Sequence, residues 1–195
     1  TTTYVDTTAG ISISTYTGTG SGATVGHGLG VTPTTVWIFP RSNGENHLAS
    51  NWETGISVYS EKWKLQDTDV AESSSGHVTA ASSTTFTLGT DVNVNGSSRT
   101  YAAYAFVEVV GFSKFGTYTG HGETDGTYAF CGFTPEMVMI KADDSGEDWI
   151  IFDRARDTYN PAENFLLPNA SNEEATSSDQ KIDFLSNGFK PRGTD

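Results

Sequence analysis

Four histidines, a run of carboxylates and a group of aromatic rings are the residues through which this chain could do chemistry. His27 stands in Gly26 to Gly30 (GHGLG), a glycine-rich stretch of the kind that can cradle a phosphate. No helix is expected after it to supply aligned amides, so the reading is a turn residue between glycines. His47 and His77 have no His, Cys or carboxylate at ligand spacing and read as surface or strand residues. Asp143, Asp144, Glu147 and Asp148 crowd hard oxygen ligands around Ser145 and Gly146, which makes them candidate calcium ligands. Their spacing departs from the EF-hand loop, and a solvated hairpin loop is the plainer expectation. Asp153 and Asp157 offer the paired carboxylates that glycoside hydrolysis needs. Arg154 and Arg156 lie between them, however, and favour ion pairing. No GxSxG elbow is present to anchor a serine nucleophile, and the chain reads as no enzyme.

The aromatic group is Trp52, Tyr59 and Trp63, beside Asn51, Glu53, Glu61, Lys62 and Lys64. Exposed rings flanked by amides and charges grip sugars, the ring giving apolar contact and the polar groups fixing hydroxyls. Trp52, Tyr59 and Trp63 are therefore the candidate glycan-contact residues. Tyr59 and Trp63 share strand parity with Ser57 and Glu61, so burial in a small sandwich is the competing reading.

The elements that must position these residues are strands. Nearly every apolar segment is short, β-branched or aromatic, and bounded by Gly, Asn, Asp, Ser or Pro, and helical periodicity is almost absent. Strands are expected at 11–17, 35–39, 57–63, 77–79, 84–88 and 101–109, then at 115–119, 128–130, 137–141, 149–152, 164–167, 181–185 and 188–190. Tyr101 to Val109 is apolar on both faces and belongs in the middle of a sheet. Asn187-Gly188 and Asn95-Gly96 suit type I′ turns. The stretches 67–83 and 169–180 read as loops, the latter with room for a helical turn.

The second half echoes the first. Tyr16 to Gly20 (YTGTG) returns as Tyr118 to Gly122 (YTGHG), and Gly30, Thr32, Pro33, Val36, Ile38, Gly44 and Glu45 find Gly132, Thr134, Pro135, Val138, Ile140, Gly146 and Glu147 at the same spacing. Neither His27 nor His121 is kept between the copies. The acidic run keeps only its Gly and Glu, which argues against an inherited metal site. Two tandem antiparallel β-sandwich domains related by duplication follow: a Thr-rich linker at 1–9, a first repeat at 10–110 and a second at 111–195. The second copy lacks a counterpart of Tyr101 to Val109, so the chain reads as a piece of a longer repeat protein. The empty strand position must be filled by further chain or by a neighbouring subunit.

Charge narrows the partners. A net charge of −13 with 11 Lys and Arg supplies no basic groove, which discounts nucleic acid. The acidity suits a soluble surface that resists self-association. No stretch approaches 18 apolar residues, so no membrane insertion is expected. The single cysteine, Cys131, forms no intrachain disulfide and reads as a small hydrophobe.

Ile13 to Pro33 (ISTYTGTGSGATVGHGLGVTP), Tyr104 to Gly120 (YAFVEVVGFSKFGTYTG), Gly132 to Lys141 (GFTPEMVMIK) and Ile182 to Lys190 (IDFLSNGFK) resemble a repeat of large virion proteins of tailed phages of cyanobacteria and other aquatic bacteria. Those proteins are described as tail fibres or uncharacterised structural proteins. The resemblance implies a virion-surface protein that assembles with other virion proteins, forms a homo-oligomer and contacts a host-surface glycan. A capsid decoration protein and a polysaccharide depolymerase are the alternatives, and the resemblance assigns no active site.

Overall fold

The computed structural model describes residues 1–42, 44, 46–51, 61–73 and 76–194. Two compact units are present, one of residues 1–109 with 143–145, the other of 110–142 with 146–195. Among the described residues every strand pairing is antiparallel, and the fold class is all-β and sandwich-like.

The first unit contains β1 (Thr2–Asp6), β2 (Ile11–Thr17), β3 (Ala23–Gly26), β4 (Thr35–Pro40), β5 (Leu48–Asn51), β6 (Glu61–Lys64), β7 (Glu72–Ser73), β8 (Val78–Ala81), β9 (Thr85–Leu88), the one-turn helix α1 (Val92–Asn95) and β10 (Thr100–Phe106). One sheet runs β1-β2-β10-β4-β5-β6-β7 and a second β3-β9-β8. The core lies between them. Tyr16, Val36, Ile38, Leu48, Tyr101, Ala103 and Ala105 from the large sheet meet Val25, Val78, Phe86 and Leu88 from the small one, with Val94 of α1. β10 is apolar on both faces and takes the central place expected of it, paired with β2 on one edge and β4 on the other. The stretch 1–9 is no linker, because Thr2–Asp6 forms the edge strand β1.

Alternation along β2 runs opposite to hydrophobicity. Ser12, Ser14 and Tyr16 are buried while Ile11 and Ile13 are half-buried. Ala103 and Ala105, also buried, pair with Ser14 and Ser12 on β10. Small residues let the sheets approach around the bulk of Tyr16 and Tyr101, whose rings stack at 5.1 Å and 15°. The Tyr101 hydroxyl donates to the Val92 carbonyl at 2.6 Å and accepts from the Gly96 N–H at 2.7 Å, tying α1 to the core. No type I′ turn forms at Asn95-Gly96. Asn95 ends α1, fully buried, and its side chain receives the Thr19 N–H and donates to the Ser21 and Gly89 carbonyls. Three backbone groups bind that amide, which is a stronger constraint than local turn preference.

The second unit contains β11 (Ala129–Phe130), β12 (Met137–Ile140), β13 (Ile150–Asp153), β14 (Asn164–Phe165), β15 (Ala175–Thr176), β16 (Ile182–Leu185) and β17 (Gly188–Pro191). Its pairings fall where those of the first unit do. Thr35↔Asn51 and Ile38↔Leu48 correspond to Met137↔Asp153 and Ile140↔Ile150, each residue 102 positions on. Glu61↔Ser73 and Lys62↔Glu72 correspond to Asn164↔Thr176 and Phe165↔Ala175, each 103 on. The small sheets share an order too, β3-β9-β8 against β11-β17-β16. Gly30 and Gly132, three residues before Pro33 and Pro135, both take positive φ (79° and 83°), the backbone bends expected ahead of a strand.

Two expectations fail in this unit. Residues 115–119 form no strand: Tyr118 packs edge-on against Phe189 and the Thr119 carbonyl accepts from the Thr127 hydroxyl. The β16–β17 hairpin turns at Ser186-Asn187, one residue early, because Leu185 pairs with Gly188. Gly188 serves a close approach instead: a side-chain carbon there would fall on the Ala129 carbonyl oxygen.

Tyr101→Phe keeps the stacked ring but leaves the buried Gly96 N–H without its acceptor. We expect a loss of about 1–3 kcal/mol, read as a lower denaturant midpoint with an unchanged slope.

Candidate functional site

β-strand alternation places one set of rings on the far side of the large sheet. Trp37 and Tyr104 are direct cross-strand partners, Phe39 lies opposite Ala102, and Phe106 lies opposite Thr35. All four rings are half-buried. Trp37 meets Phe106 edge-on at 5.2 Å, Phe39 meets Tyr104 edge-on at 5.3 Å, and His47 tilts against Phe39 at 5.1 Å. Edge-to-face contacts hold aromatic rings in fixed orientation. The result is a fixed aromatic face on paired strands, a surface that stacks against flat apolar faces such as those of sugar rings. The alternation of Trp37 with Phe39 and of Tyr104 with Phe106 is the sequence signal for it.

The glycan candidates read from sequence behave differently. Trp63 is 8% exposed, so little of the ring is free to stack on a sugar, which corrects its assignment as a sugar-stacking ring. Along β6, Lys62 and Lys64 fall on the face of Val36, Ile38 and Leu48, and Trp63 falls on the opposite face, in line with Ala49, Trp37 and Tyr104. Trp52 and Tyr59 lie outside the described residues. The lysines expected beside a glycan are engaged elsewhere. Lys64 pairs with Asp69 and Glu72, and Lys62 lies 3.1 Å from Glu72.

Lys62 also reaches inward. Its Nζ is 3.1 Å from Nε2 of His77, which in turn is 3.0 Å from Oδ2 of Asp91. His77 is fully buried, not a surface residue, and its acidic neighbour lies 14 positions away, beyond any local spacing rule. Nε2 serves one of these neighbours at a time: as N–H it donates to Asp91, and as a lone pair it accepts from the Lys62 ammonium, while Nδ1 has no partner among the described residues. Burial pushes the His77 imidazole below its usual range, against the pull of Asp91. Burial alone would raise the Asp91 carboxyl, but the Asn93 N–H and His77 outweigh it and hold it low. A His–Asp pair resembles half a catalytic dyad, yet a fully buried imidazole meets no substrate. Its work is to fix the chain between β7 and α1.

His27 is buried as well, inside the turn expected of it. Its Nε2 lies 3.1 Å from the Ser82 carbonyl and its Nδ1 accepts the Leu29 N–H at 3.2 Å. That pattern needs the neutral ring, and burial lowers the affinity for a second proton. His121 is exposed.

Asp143, Asp144 and Glu147 are exposed, and Asp148 accepts from the Asn169 amide at 2.6 Å. Among the described residues no group of three or more His, Cys, Asp or Glu side chains converges on a metal position. Arg154 pairs with Glu136, and Arg156 with Asp153 and Glu174. Asp157 accepts the Glu163 and Asn164 N–H groups. These carboxylates tie a strand end to a loop.

A family description, Domain of unknown function (DUF7483), matches residues 1–195. The chain belongs to the DUF7483 family. The match runs the length of both units. No curated protein and no solved structure matches the DUF7483 chain.

Two outcomes are expected. Trp63→Ala removes a buried ring and costs about 3–5 kcal/mol, whereas Trp63→Phe costs less because it also removes a buried indole N–H that has no partner among the described residues. Calorimetry of both variants checks this. The second concerns pH. His27 and His77 bind protons less well folded than unfolded, so their contribution to stability is complete above about pH 6.5. It declines as the pH falls below that value towards their lowered native range. Urea midpoints from pH 8 to pH 5 should fall on the acid side, and His77→Gln should flatten the fall.

Proposed function

We propose that the chain is a non-enzymatic structural protein of a virion surface, a segment of a tail fibre or similar appendage in which one β unit, duplicated, is used in series. The observation that carries this reading is the correspondence of strand registers between the units, at a spacing of 102 or 103 residues. A repeated unit presents a similar surface at each step of an array, which serves display and adhesion better than catalysis. The sequence resemblance to phage virion repeats supports the setting. The net charge of −13 supports it too, because like-charged surfaces stay apart when displayed densely.

Contact with a host-surface glycan, in this reading, falls to the aromatic face of Trp37, Phe39, Tyr104 and Phe106. Its rings are held by one another and by paired strands, so little side-chain freedom is lost on binding.

Gold-labelled antibody against the chain, applied to intact particles of the virus that carries it, should decorate the tail periphery. Label on the capsid faces would mean a decoration protein, and no label on particles overturns the reading. Tyr104→Ala should lower adhesion to host cells about tenfold or more at unchanged fold, as loss of a well-packed contact ring does, with Tyr104→Phe retaining most of it. Polymer length of host polysaccharide should be unchanged by the protein.

A further inference from the structure

β1 is the outer strand of the large sheet, and one of its edges meets no partner among the described residues. Hydrogen-bond alternation shows which groups that edge carries. The Gly10 carbonyl accepts from the Val107 N–H and the Gly18 N–H donates to the Arg99 carbonyl, so the even-numbered residues of β2 bond β10 and the odd-numbered ones bond β1. Ile11, Ile13 and Thr15 lie opposite Asp6, Tyr4 and Thr2. Thr3 and Val5 therefore direct their N–H and C=O groups away from the sheet.

The devices that blunt an edge are missing from it. Thr2–Asp6 contains no lysine, proline or glycine, no bulge interrupts its register with β2, and all five residues are exposed, Tyr4 at 73% and Val5 at 46%. An edge strand without such devices is a template for another strand. The edge is also held in place from its own side. The Thr3 hydroxyl lies 3.0 Å from that of Ser14 and donates to the Gly26 carbonyl at 3.1 Å, and Asp6 accepts the Thr8 and Ala9 N–H groups at the turn into β2. A strand fixed in this way loses little freedom when a partner arrives.

We propose that β1 pairs antiparallel with β1 of a second copy of this chain, joining the two large sheets into one across a twofold axis. Thr3 and Val5 carry the outward groups, so Thr3 lies opposite Val5 of the second copy, Val5 opposite its Thr3, and Tyr4 opposite its Tyr4 on the axis. This register alone uses the whole strand. It sets the Thr2 hydroxyl against the Asp6 carboxylate of the second copy, a donor against an acceptor, and keeps the two Asp6 charges at opposite ends of the contact. The Tyr4 rings meet at a non-hydrogen-bonded pair, where side chains approach most closely. Tyr4 lies opposite Ile13, Ile13 opposite Tyr104 and Tyr104 opposite Trp37, so one apolar row runs from Trp37 of one copy to Trp37 of the other. The patch is self-complementary and closes at two copies. An edge of five residues buries little area, and the dimer is a weak one that forms at high local concentration. The net charge of −13 opposes the approach by long-range repulsion, which salt screens. The dimer goes beyond the display role and does not depend on the glycan reading.

The test uses the full chain. Sedimentation equilibrium should show the mass rising with concentration from 20.9 kDa towards twice that value and no further. Raising the salt from about 10 to about 150 mM, which shortens the screening length from about 30 to about 8 Å, should strengthen association. Val5→Pro removes an outward N–H that β2 does not use, and should weaken dimerisation about tenfold or more with the β circular-dichroism signal unchanged. Tyr4→Lys should weaken it as well, although it lowers the net negative charge, because it sets two ammonium groups opposite each other. In a Cys131→Ser background under mild oxidation, Tyr4→Cys should give a disulfide-linked dimer, while Thr2→Cys, far from its symmetry mate, should stay at the monomer on a denaturing gel. Equal dimer yields from the two cysteines, association that continues past the dimer, or undiminished dimerisation of Val5→Pro would overturn the proposal. So would a wild-type chain that stays monomeric at about 1 mM protein and about 150 mM salt.

Discussion

Pairing on both edges of β10 is the constraint on which the first unit rests. A strand held by β2 and β4 has its N–H and C=O groups satisfied on each side, and it can therefore stand in the middle of the sheet with apolar residues on both faces. Its inward face brings Tyr101, Ala103 and Ala105 to the core. Its outward face brings Tyr104 and Phe106 to Trp37 and Phe39. The stacked pair of Tyr16 and Tyr101 and the hydroxyl bonds to Val92 and Gly96 then fix α1 over the same core. In the second unit, β12 carries an exposed Met137 and Tyr118 meets Phe189 edge-on.

Buried polar groups do the remaining positioning. Asn95 holds three backbone groups from separate segments, His27 bridges Ser82 and Leu29, and His77 joins Asp91 to Lys62 and Glu72. Each of these side chains sits where loops cross the open end of a sheet. Buried polar atoms left unpaired are costly, so the loops hold one arrangement, and the aromatic face on the far side of the sheet is carried on a rigid base. His27 and His77 are thus buried and bonded within the fold, while half-buried rings cover the far side of the large sheet.

Much of the strand content is legible along the chain. β2 spans the expected residues, β9, β12, β16 and β17 fall within a residue or two of theirs, and β10 takes its central position, because β-branched and aromatic runs between turn residues have one economical conformation. Strands without that composition escape notice. β1 lies in a threonine-rich start of the chain, with threonine at two of its five positions, and β3, β5, β7 and β15 are short and polar or small; each forms because a neighbouring edge accepts it, which is a tertiary event. Residues 115–119 are the converse, a run with strand composition that forms no strand.

The sequence by itself determined the all-β class and the identities between its two halves. These depend on local composition and on identity between segments, both written in one dimension. Only the tertiary structure decided which face of each strand meets the core. It turned Ser12 and Ser14 inward and Ile11 and Ile13 outward, buried Trp63 on the face of Trp37, and paired His77 with Asp91. Inward and outward along a strand are set by the volumes that the opposing sheet offers and by partners many residues distant, and no short window of sequence contains either.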